Sequence, residues 1–292
     1  MSEYHTPVLF KESVSALAIK PGGVYVDATF GGGHSKAILE QLSAKGRLIA
    51  IDQDSDALAN APQDKRLIPV RSNFRFVHNW IRYHGFDVVD GILADLGVSS
   101  HQFDTEERGF SFRFDSELDM RMSDAAAKSA KEMVNGYSEE ALEKILREYG
   151  EVANSRFAAK LICGARSVRP ITTTAELNAA LEKATPAFGQ HKYLAKVYQA
   201  LRIEVNDEMT ALERFMPMAV KSLAEGGILA VITYHSLEDR IVKNAIRDAI
   251  RDGYLEKVTS KPILPAESEI EGNTRARSAK LRVAKRTAMG HR

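Results

Sequence analysis

The feature that most constrains the fold is an alternation of short apolar strands and helices through the first third of the chain. Apolar runs at 24–28, 47–51, 67–70 and 88–94 are separated by segments whose apolar residues have helical spacing. Continuous apolar strands joined by helices are typical of a parallel sheet that is covered on both faces. We therefore predict an α/β fold built on such a sheet.

The middle of the chain, from Phe103 to Leu201, has a different pattern. Helix signals dominate there, and no strand pattern is convincing. Ser138 stands at a position suited to an N-cap, and Thr173 and Glu176 have the spacing of a capping box. These signals predict a helical insertion.

Strand and helix signals alternate again towards the C-terminus. An apolar run at 228–233 precedes an amphipathic segment at 237–250, and residues 255–259 and 278–284 are candidates for final, antiparallel strands. The sheet is therefore predicted to be discontinuous in sequence. The resulting division is a core of residues 1–104 plus 202–292 and a helical insertion of residues 105–201.

Composition excludes several classes of protein. The 292 residues contain one cysteine, Cys163, which excludes an internal disulfide and a cysteine-based zinc cluster. No apolar run approaches the roughly 20 residues that span a bilayer, and the N-terminal residues have no secretory pattern. The histidines lack short metal-ligand spacing. We therefore expect a cytoplasmic protein with no membrane partner and no metal.

Positive charge is concentrated after Asn273, although the net charge of the chain is only +1. This segment contains no acidic residue, so it could either follow a phosphate backbone or form a solvated tail. Charge alone favours neither interpretation. The cations are Arg275, Arg277, Lys280, Arg282, Lys285, Arg286 and Arg292.

A glycine-rich turn follows the first predicted strand. Gly31, Gly32 and Gly33 lie between this strand and a helix, where glycine lets the backbone approach a ligand and the helix N-terminus offers free N–H groups. Asp52 ends the second strand about 20 residues later, a spacing that suits a carboxylate accepting ribose hydroxyls. The pair indicates a nucleotide-like cofactor. It does not distinguish a dinucleotide from S-adenosylmethionine.

Asp95 ends the fourth strand, beside the crevice where open α/β sheets bind ligands. The loop that it begins, residues 95–102, also carries hydroxyls and an amide. Such acceptors suit methyl transfer to an exocyclic amine, because the delocalised lone pair of that nitrogen reacts only when its N–H bonds are held and polarised. The alternative is that Asp95 only caps the next turn.

Three further side chains allow two interpretations each. His34 stands at a helix start and could contact the cofactor or serve as a cap. His235 ends the fifth strand, where it could act in the site or merely precede a helix capped by Ser236. Phe74 could stack on an adenine ring, although its spacing favours a place in the core.

Long, ordered stretches resemble those of the bacterial 16S rRNA (cytosine-N4)-methyltransferase family, also called MraW. The resemblance covers nearly the whole chain and is far more specific than a glycine turn. The stretches are 5–9 (HTPVL), 27–31 (DATFG), 50–54 (AIDQD), 91–100 (GILADLGVSS), 108–112 (RGFSF), 118–122 (LDMRM), 199–206 (QALRIEVN), 235–240 (HSLEDR) and 275–278 (RARS).

The resemblance implies a class I, Rossmann-like S-adenosylmethionine-dependent methyltransferase sheet with an inserted all-α domain. It implies methyl transfer to N4 of a cytidine in the decoding centre, near the P site, of 16S rRNA in the small ribosomal subunit. Asp52 would hold the ribose, and Asp95 would contact the cofactor, serve catalysis, or do both. The other implied cofactor contacts are Gly32, Gly33, His34, Phe74 and Gln102.

One departure concerns the glycine loop. The family reads Gly-x-Gly-Gly before the histidine, whereas here three glycines stand between Phe30 and His34. Two alternative functions therefore remain open at this point. One is a nicotinamide-dependent oxidoreductase, which shares the glycine loop and Asp52. The other is a non-catalytic RNA-binding assembly factor that retains a degenerate cofactor fold.

Overall fold

A mixed seven-stranded sheet forms the centre of the fold. The computed structural model describes residues 7–31, 33–99, 102–103, 105–123 and 126–288. The strand order is β3-β2-β1-β4-β5-β7-β6. The strands are β1 (Val24–Asp27), β2 (Arg47–Asp52), β3 (Leu67–Arg71), β4 (Val89–Asp95), β5 (Leu223–Thr233), β6 (Leu255–Lys257) and β7 (Lys280–Arg286).

The first five strands are parallel, and the last two are antiparallel to their neighbours. The predicted α/β, Rossmann-like fold class is therefore confirmed, including the antiparallel C-terminal strands. Chain order changes direction at β1, which lies between β2 and β4. This is the switch point at which open α/β sheets form a ligand crevice outside the carboxyl ends of their strands.

Helices cover both faces of the sheet. Along β1, Tyr25 packs into one apolar cluster and Val26 into another, and β2 and β4 alternate in the same way. Since neighbouring residues of a strand point to opposite faces, the two clusters are the cores of the two faces. The helices of this part are α1 (Phe10–Ala16), α2 (Gly33–Gln41), α3 (Ser55–Ala59), α4 (Val77–Tyr83), α10 (Glu208–Ser222), α11 (Ser236–Arg251) and α12 (Glu267–Gly272).

The chain separates into two compact units. One contains residues 1–97 and 209–292, and the other contains residues 98–208. We call them the sheet unit and the helical unit. The predicted boundaries, 104/105 and 201/202, both lie inside the helical unit, so this unit is longer at each end than the insertion defined from the sequence.

The helical unit has its own apolar core, and each of the α-helices named at the end of this paragraph contributes residues to it. Its helices begin at the predicted signals. Ser138 caps α6 (Glu139–Glu148), and Thr173 and Glu176 form a capping box at α8 (Thr174–Ala180). Among the described residues, none of its helices is long and apolar enough to cross a membrane, nor is any helix of the sheet unit. The helices are α5 (Ala130–Gly136), α6 (Glu139–Glu148), α7 (Ser155–Val168), α8 (Thr174–Ala180) and α9 (Gln190–Asn206).

Most of the basic C-terminal segment is folded rather than a solvated tail. Its residues 280–286 form β7 in the middle of the antiparallel part of the sheet. Lys280 and Arg282 pair with Asp239 of α11. Lys285 pairs with Glu256, and the buried Arg286 covers the ring of Tyr254. Of the other cations, Arg275 and Arg277 are exposed, and Arg292 lies outside the described residues.

Candidate active site at the carboxyl ends of the strands

Three of the parallel strands end in aspartate: Asp27 on β1, Asp52 on β2 and Asp95 on β4. β1 pairs with both other strands in parallel, so the three carboxyl ends lie at one edge of the sheet. Among the described residues, no lysine or arginine pairs with any of the three, and burial is the largest influence on each pKa. We call these residues the strand-end acids.

Asp27 is the most deeply buried of the strand-end acids, with 1% of its surface exposed. It accepts hydrogen bonds from the Ser35 hydroxyl (2.6 Å) and from the Thr29 backbone N–H (3.2 Å). Burial raises the pKa of Asp27 to about 6, against the lowering effect of these two bonds. Since Ser35 lies in the first turn of α2, Asp27 ties both sides of the glycine turn to the end of β1.

The glycine turn itself is tightly packed where α2 begins. A Cβ atom on Gly33 would lie 2.3 Å from Cγ of Pro7, closer than any side chain can approach. This neighbour explains why glycine is needed at the helix start. Gly31 is exposed, and Gly32, for which a cofactor contact is predicted, lies outside the described residues.

His34 is a buried, neutral histidine directly after this turn. Only 5% of its surface is exposed, and its ring lies against Phe10 at a centroid distance of 5.7 Å. Burial lowers the pKa of His34 to about 4, so the ring carries no charge at neutral pH. Its Nδ1 lies 3.8 Å from Asp95 Oδ2, too far for a hydrogen bond, and the described residues offer no partner to its Nε2.

Asp52 occupies the end of β2 and is only partly exposed. Its Oδ1 accepts the backbone N–H of Asp54 at 2.7 Å. Burial raises the pKa of Asp52 to about 7, and the nearby charges of Asp54 and Asp27 add to this effect. Repulsion of this kind favours a site that is completed by hydroxyl donors or a cation.

Asp95 joins β4 to the neighbouring strand ends. Its backbone N–H donates to Thr29 Oγ1 at 2.7 Å, and its Oδ1 accepts the Tyr234 hydroxyl at 2.7 Å. Burial raises the pKa of Asp95 to about 7; the bond from Tyr234 lowers it, whereas the charges of Asp27 and Glu238 raise it. The carboxyl group of Asp95 therefore lies near ionisable side chains from β1 and from the segment that follows β5, and its role in the site stays a prediction.

The end of β5 is organised by Glu238, a buried carboxylate in the first turn of α11. It accepts the backbone N–H of Tyr234 at 2.8 Å and that of His235 at 3.4 Å, while His235 Nδ1 accepts the Glu238 N–H at 3.4 Å. The N-cap is thus His235, and the proposed capping role of Ser236 is wrong. The reason is that an imidazole nitrogen can accept the same N–H bond as a hydroxyl.

Phe74 lies at the edge of the core. Its ring meets that of Phe215 edge to face, with centroids 5.2 Å apart, and it packs against the apolar cluster of that sheet face. The ring is nevertheless partly exposed. Phe74 therefore packs in the core of the sheet unit. Stacking of its ring on adenine stays a prediction.

Gln102 belongs to the helical unit and is buried. Its backbone N–H donates to Ser99 Oγ, and its Oε1 accepts the Ser99 N–H, both at 3.1 Å. These bonds connect Gln102 to Ser99. The cofactor contact predicted for Gln102 is untested by this geometry and remains a prediction.

Sequence reasoning missed three participants in this network. Asp27 and Thr29 stand in the same stretch as the glycines, and their polarity at the end of an apolar strand is a signal that was available. Tyr234 carries no such signal, because a tyrosine after a strand is ordinarily core. Only the pairing of β4 with β5 shows that its hydroxyl meets Asp95.

A Rossmann-like sheet with buried acids at its switch point is the architecture of a class I methyltransferase. The sequence matches the MraW methylase family over residues 2–287, and the chain belongs to that family. It is similar to the ribosomal RNA small subunit methyltransferase H of Flavobacterium johnsoniae, with 51% identity over 97% of this chain and 98% of the relative. The protein of that name in Bacteroides thetaiotaomicron is 52% identical, with 97% of each chain covered.

Solved structures align with this chain at lower similarity. An rRNA methylase from Streptococcus thermophilus aligns with a TM-score of 0.41 and 12% identity, over 94% of this chain and 95% of that one. TrmN from Thermus thermophilus aligns with a TM-score of 0.46 and 12% identity, over 98% of this chain and 50% of that one. These likenesses are too weak to bear on activity.

Proposed function

We propose that this protein transfers a methyl group from S-adenosylmethionine to the exocyclic N4 amine of a cytidine in the decoding centre, near the P site, of 16S rRNA. The observation that carries the proposal is Asp95, a carboxyl group at the switch point whose pKa is raised to about 7. The names of the 51–52% identical relatives support small-subunit rRNA as the substrate class.

The proposed role of Asp95 is to accept a hydrogen bond and then a proton from the amine. S-adenosylmethionine, held by Asp52 and the glycine turn, would supply an electrophilic methyl group on a sulfonium, with the electron pair of the carbon–sulfur bond staying on sulfur. Methylation of the N4 nitrogen would then require one proton to leave that nitrogen. A carboxylate with a pKa near 7 can receive that proton and release it to solvent.

The strand-end acids suit a cationic cofactor. The charge of Asp27 raises the pKa of both Asp52 and Asp95, and no described lysine or arginine neutralises the three acids. A sulfonium ligand would relieve this repulsion, whereas the pyrophosphate of a nicotinamide dinucleotide would add to it. We infer that Asp52 holds the ribose hydroxyls, that the turn of Gly32 and Gly33 holds the amino-acid end, and that Phe74 lies beside the adenine.

His34 has a suitable atom for a polar contact with this cofactor. Its Nε2 is buried and has no hydrogen-bond partner among the described residues. Because the ring is neutral at pH 7, this nitrogen can act as donor or acceptor without adding charge. A bound polar group would therefore satisfy an atom that is otherwise costly to bury.

We infer that the helical unit contributes the surface that grips rRNA. Phe188 is 94% exposed in the loop before α9, and the first turn of α9 presents His191 and Lys192 without an acid. The His191 ring also lies 5.7 Å from that of Phe112, whose neighbour Arg113 is exposed. We call these five residues the aromatic–basic surface.

Such a surface has the chemistry of single-stranded RNA recognition. Exposed aromatic rings stack on unpaired bases, and cations at a helix N-terminus attract phosphate. Asp115 is an exposed acid close in sequence to Arg113. Its Oδ1 accepts the backbone N–H of Ala175, in the first turn of α8, at 3.3 Å. The C-terminal segment is the weaker candidate, because Lys280, Arg282 and Lys285 are already paired within the sheet unit.

The decisive experiment is to incubate the protein with labelled S-adenosylmethionine and undermethylated small subunits, then map the methylated nucleoside by mass spectrometry. We expect N4-methylcytidine at a single decoding-centre position. Label at another atom or another RNA would overturn the assignment.

A thermal-shift titration with S-adenosylhomocysteine and NAD tests the cofactor separately, since only the true ligand stabilises the fold. Stabilisation by NAD alone would favour the oxidoreductase, and stabilisation by neither would favour an assembly factor.

A further inference from the structure

The Tyr234 hydroxyl contacts the Asp95 carboxyl group, and the proposed reaction leaves this hydroxyl without a role. Its Oη donates a hydrogen bond of 2.7 Å to Asp95 Oδ1. The ring is partly buried against the apolar cluster of one sheet face. A buried tyrosine that meets a carboxyl group at this distance fixes the orientation of that group.

The backbone around Tyr234 holds the ring in place. Its N–H donates to Glu238 Oε2 at 2.8 Å, and Glu238 is itself only 2% exposed. On the other side, Gly97 adopts a φ of 93°, and a Cβ atom there would lie 3.6 Å from the Tyr234 ring. The first turn of α11 thus fixes the backbone of Tyr234, and its ring lies near the turn that follows β4.

The two oxygens of Asp95 therefore differ in their surroundings. Oδ1 is occupied by the Tyr234 hydroxyl, while the approach of His34 Nδ1 to Oδ2, at 3.8 Å, is too long for a hydrogen bond. We propose that Tyr234 is a positioning residue that engages Oδ1 of Asp95 and so presents Oδ2 to the substrate amine. This inference rests on the proposed function of Asp95.

Tyr234 also lowers the pKa of Asp95, whereas burial and the acidic groups that face Asp95 raise it. Burial and the charges of Asp27 and Glu238 favour the protonated acid, and His34 is neutral, so it offers no compensating charge. The hydroxyl stabilises the ionised form, and its own pKa is raised by burial and by Asp95, so it remains a donor at every working pH. Without this bond, the pKa of Asp95 would rise further.

The test is the pH dependence of methyl transfer by Tyr234→Phe from pH 6 to pH 9. A hydrogen bond to a charged group is worth roughly one pH unit or more. We expect the acidic limb of the kcat profile to move up by about one unit. The rate would then fall about tenfold below the midpoint and approach the wild-type rate at pH 9. The KM for S-adenosylmethionine should change less than about twofold, because the variant removes no predicted cofactor contact.

The matched control is Tyr25→Phe. Tyr25 is also buried in this apolar cluster, but its hydroxyl accepts the Lys20 N–H and does not meet Asp95. Its pH profile should match that of the wild type. An unchanged profile for Tyr234→Phe would overturn the inference. So would a rate that falls in parallel at every pH with a lower Tm, since this is the behaviour of a purely structural residue.

A second measurement separates this inference from the proposed function. If the wild-type protein produces no N4-methylcytidine, the proposed function fails, and the pairing of Tyr234 with Asp95 is judged by NMR instead. The carboxyl carbons of ¹³C-labelled aspartates are titrated in wild type and Tyr234→Phe, with Asp95→Asn to identify the signal. We expect the Asp95 midpoint to rise by about one unit in the variant. Equal midpoints would refute the positioning role whatever the substrate.

Discussion

Two regions of this molecule depart from the usual separation of apolar and charged residues, and they do so in opposite directions. In the sheet unit, Asp27 is buried and Asp52 and Asp95 are partly buried, without a described lysine or arginine beside them. In the helical unit, the aromatic–basic surface exposes Phe188 almost completely. By contrast, Asp90, at the amino end of β4, is paired with Lys20.

The contrast indicates what kind of ligand would suit each region. Buried acids that repel one another are stabilised by a cation or by hydroxyl donors, which a sulfonium nucleoside provides. An exposed aromatic ring beside cations is covered by a planar, anionic polymer, which single-stranded RNA provides. The repulsion among the acids and the exposure of Phe188 do not themselves stabilise the isolated protein, so the following variants test whether each serves binding.

The largest effect should come from Asp95→Ala. We expect kcat to fall by about 10²–10³-fold, because the acceptor for the amine proton is removed. The measurement is incorporation of labelled methyl groups into undermethylated small subunits. Asp90→Ala, at the other end of the same strand, is the matched control and should retain activity within about twofold. Normal transfer by Asp95→Ala would show that the strand-end acids do not carry the chemistry.

Asp52→Ala should act on cofactor affinity. Loss of a charged acceptor for the ribose hydroxyls should weaken binding by about 1.5–3 kcal/mol, roughly 10–100-fold. Isothermal titration with S-adenosylhomocysteine measures this change. Asp54→Ala is the control: Asp54 caps α3 by accepting the Asp56 N–H, so it should lose about 1 kcal/mol of stability but no affinity. Equal affinity losses in both variants would remove the ribose role from Asp52.

Phe188→Ala tests the other region. Loss of one stacking contact should weaken binding of single-stranded rRNA fragments by about 1–2 kcal/mol, with little change in Tm, because the side chain is 94% exposed. Filter binding across a salt series gives both affinity and salt slope. Phe157→Ala removes a half-exposed ring from α7 of the same unit and should leave RNA affinity unaltered. If the two variants behave alike, the aromatic–basic surface is not the RNA contact.

The same contrast explains what could be predicted from the sequence. Periodicity and caps depend on neighbouring residues, so the strands, the antiparallel end and the caps Ser138 and Thr173 were predictable. Asp52 and Asp95 were found because strand ends at a switch point have a known use. The contact of Tyr234 with Asp95 joins residues far apart in the chain and depends on β4 pairing with β5. Local pattern carries no such information.

The exposure of Phe188 and the pairing of the C-terminal cations were equally out of reach. A phenylalanine near a proline and a glycine reads as a loop residue, and only the folded chain shows that no core covers it. From the sequence, Lys280 and Arg282 look like unpaired cations. In the folded chain, α11 places Asp239 beside β7, where it pairs with both. Charge counts along a sequence therefore overstate the cations that remain for RNA.

The smallest expected effect concerns stability, and its sign separates function from folding. The pKa of Asp95 is about 7 in the folded protein and near 3.8 when unfolded, so the folded state binds the extra proton between these values. Its stability therefore falls as pH rises from 4 to 7, and the full penalty is present above pH 7. Asp95→Asn removes this penalty but still buries an amide, so we expect a gain of about 1 kcal/mol at pH 8.

The gain should shrink as pH falls from 7 and vanish only below about pH 3, where the acid is protonated in both states. Differential scanning calorimetry at pH 4.5 and pH 8 measures the difference between a small gain and the full one. Asp90→Asn should have the opposite sign at pH 8, losing up to about 1 kcal/mol with its Lys20 pair and its bond from the Val24 N–H. A loss of stability in Asp95→Asn at pH 8 would mean that the Asp95 carboxylate stabilises the folded protein. The strand-end acids would then be structural, and the contrast with the helical unit would no longer point to a ligand.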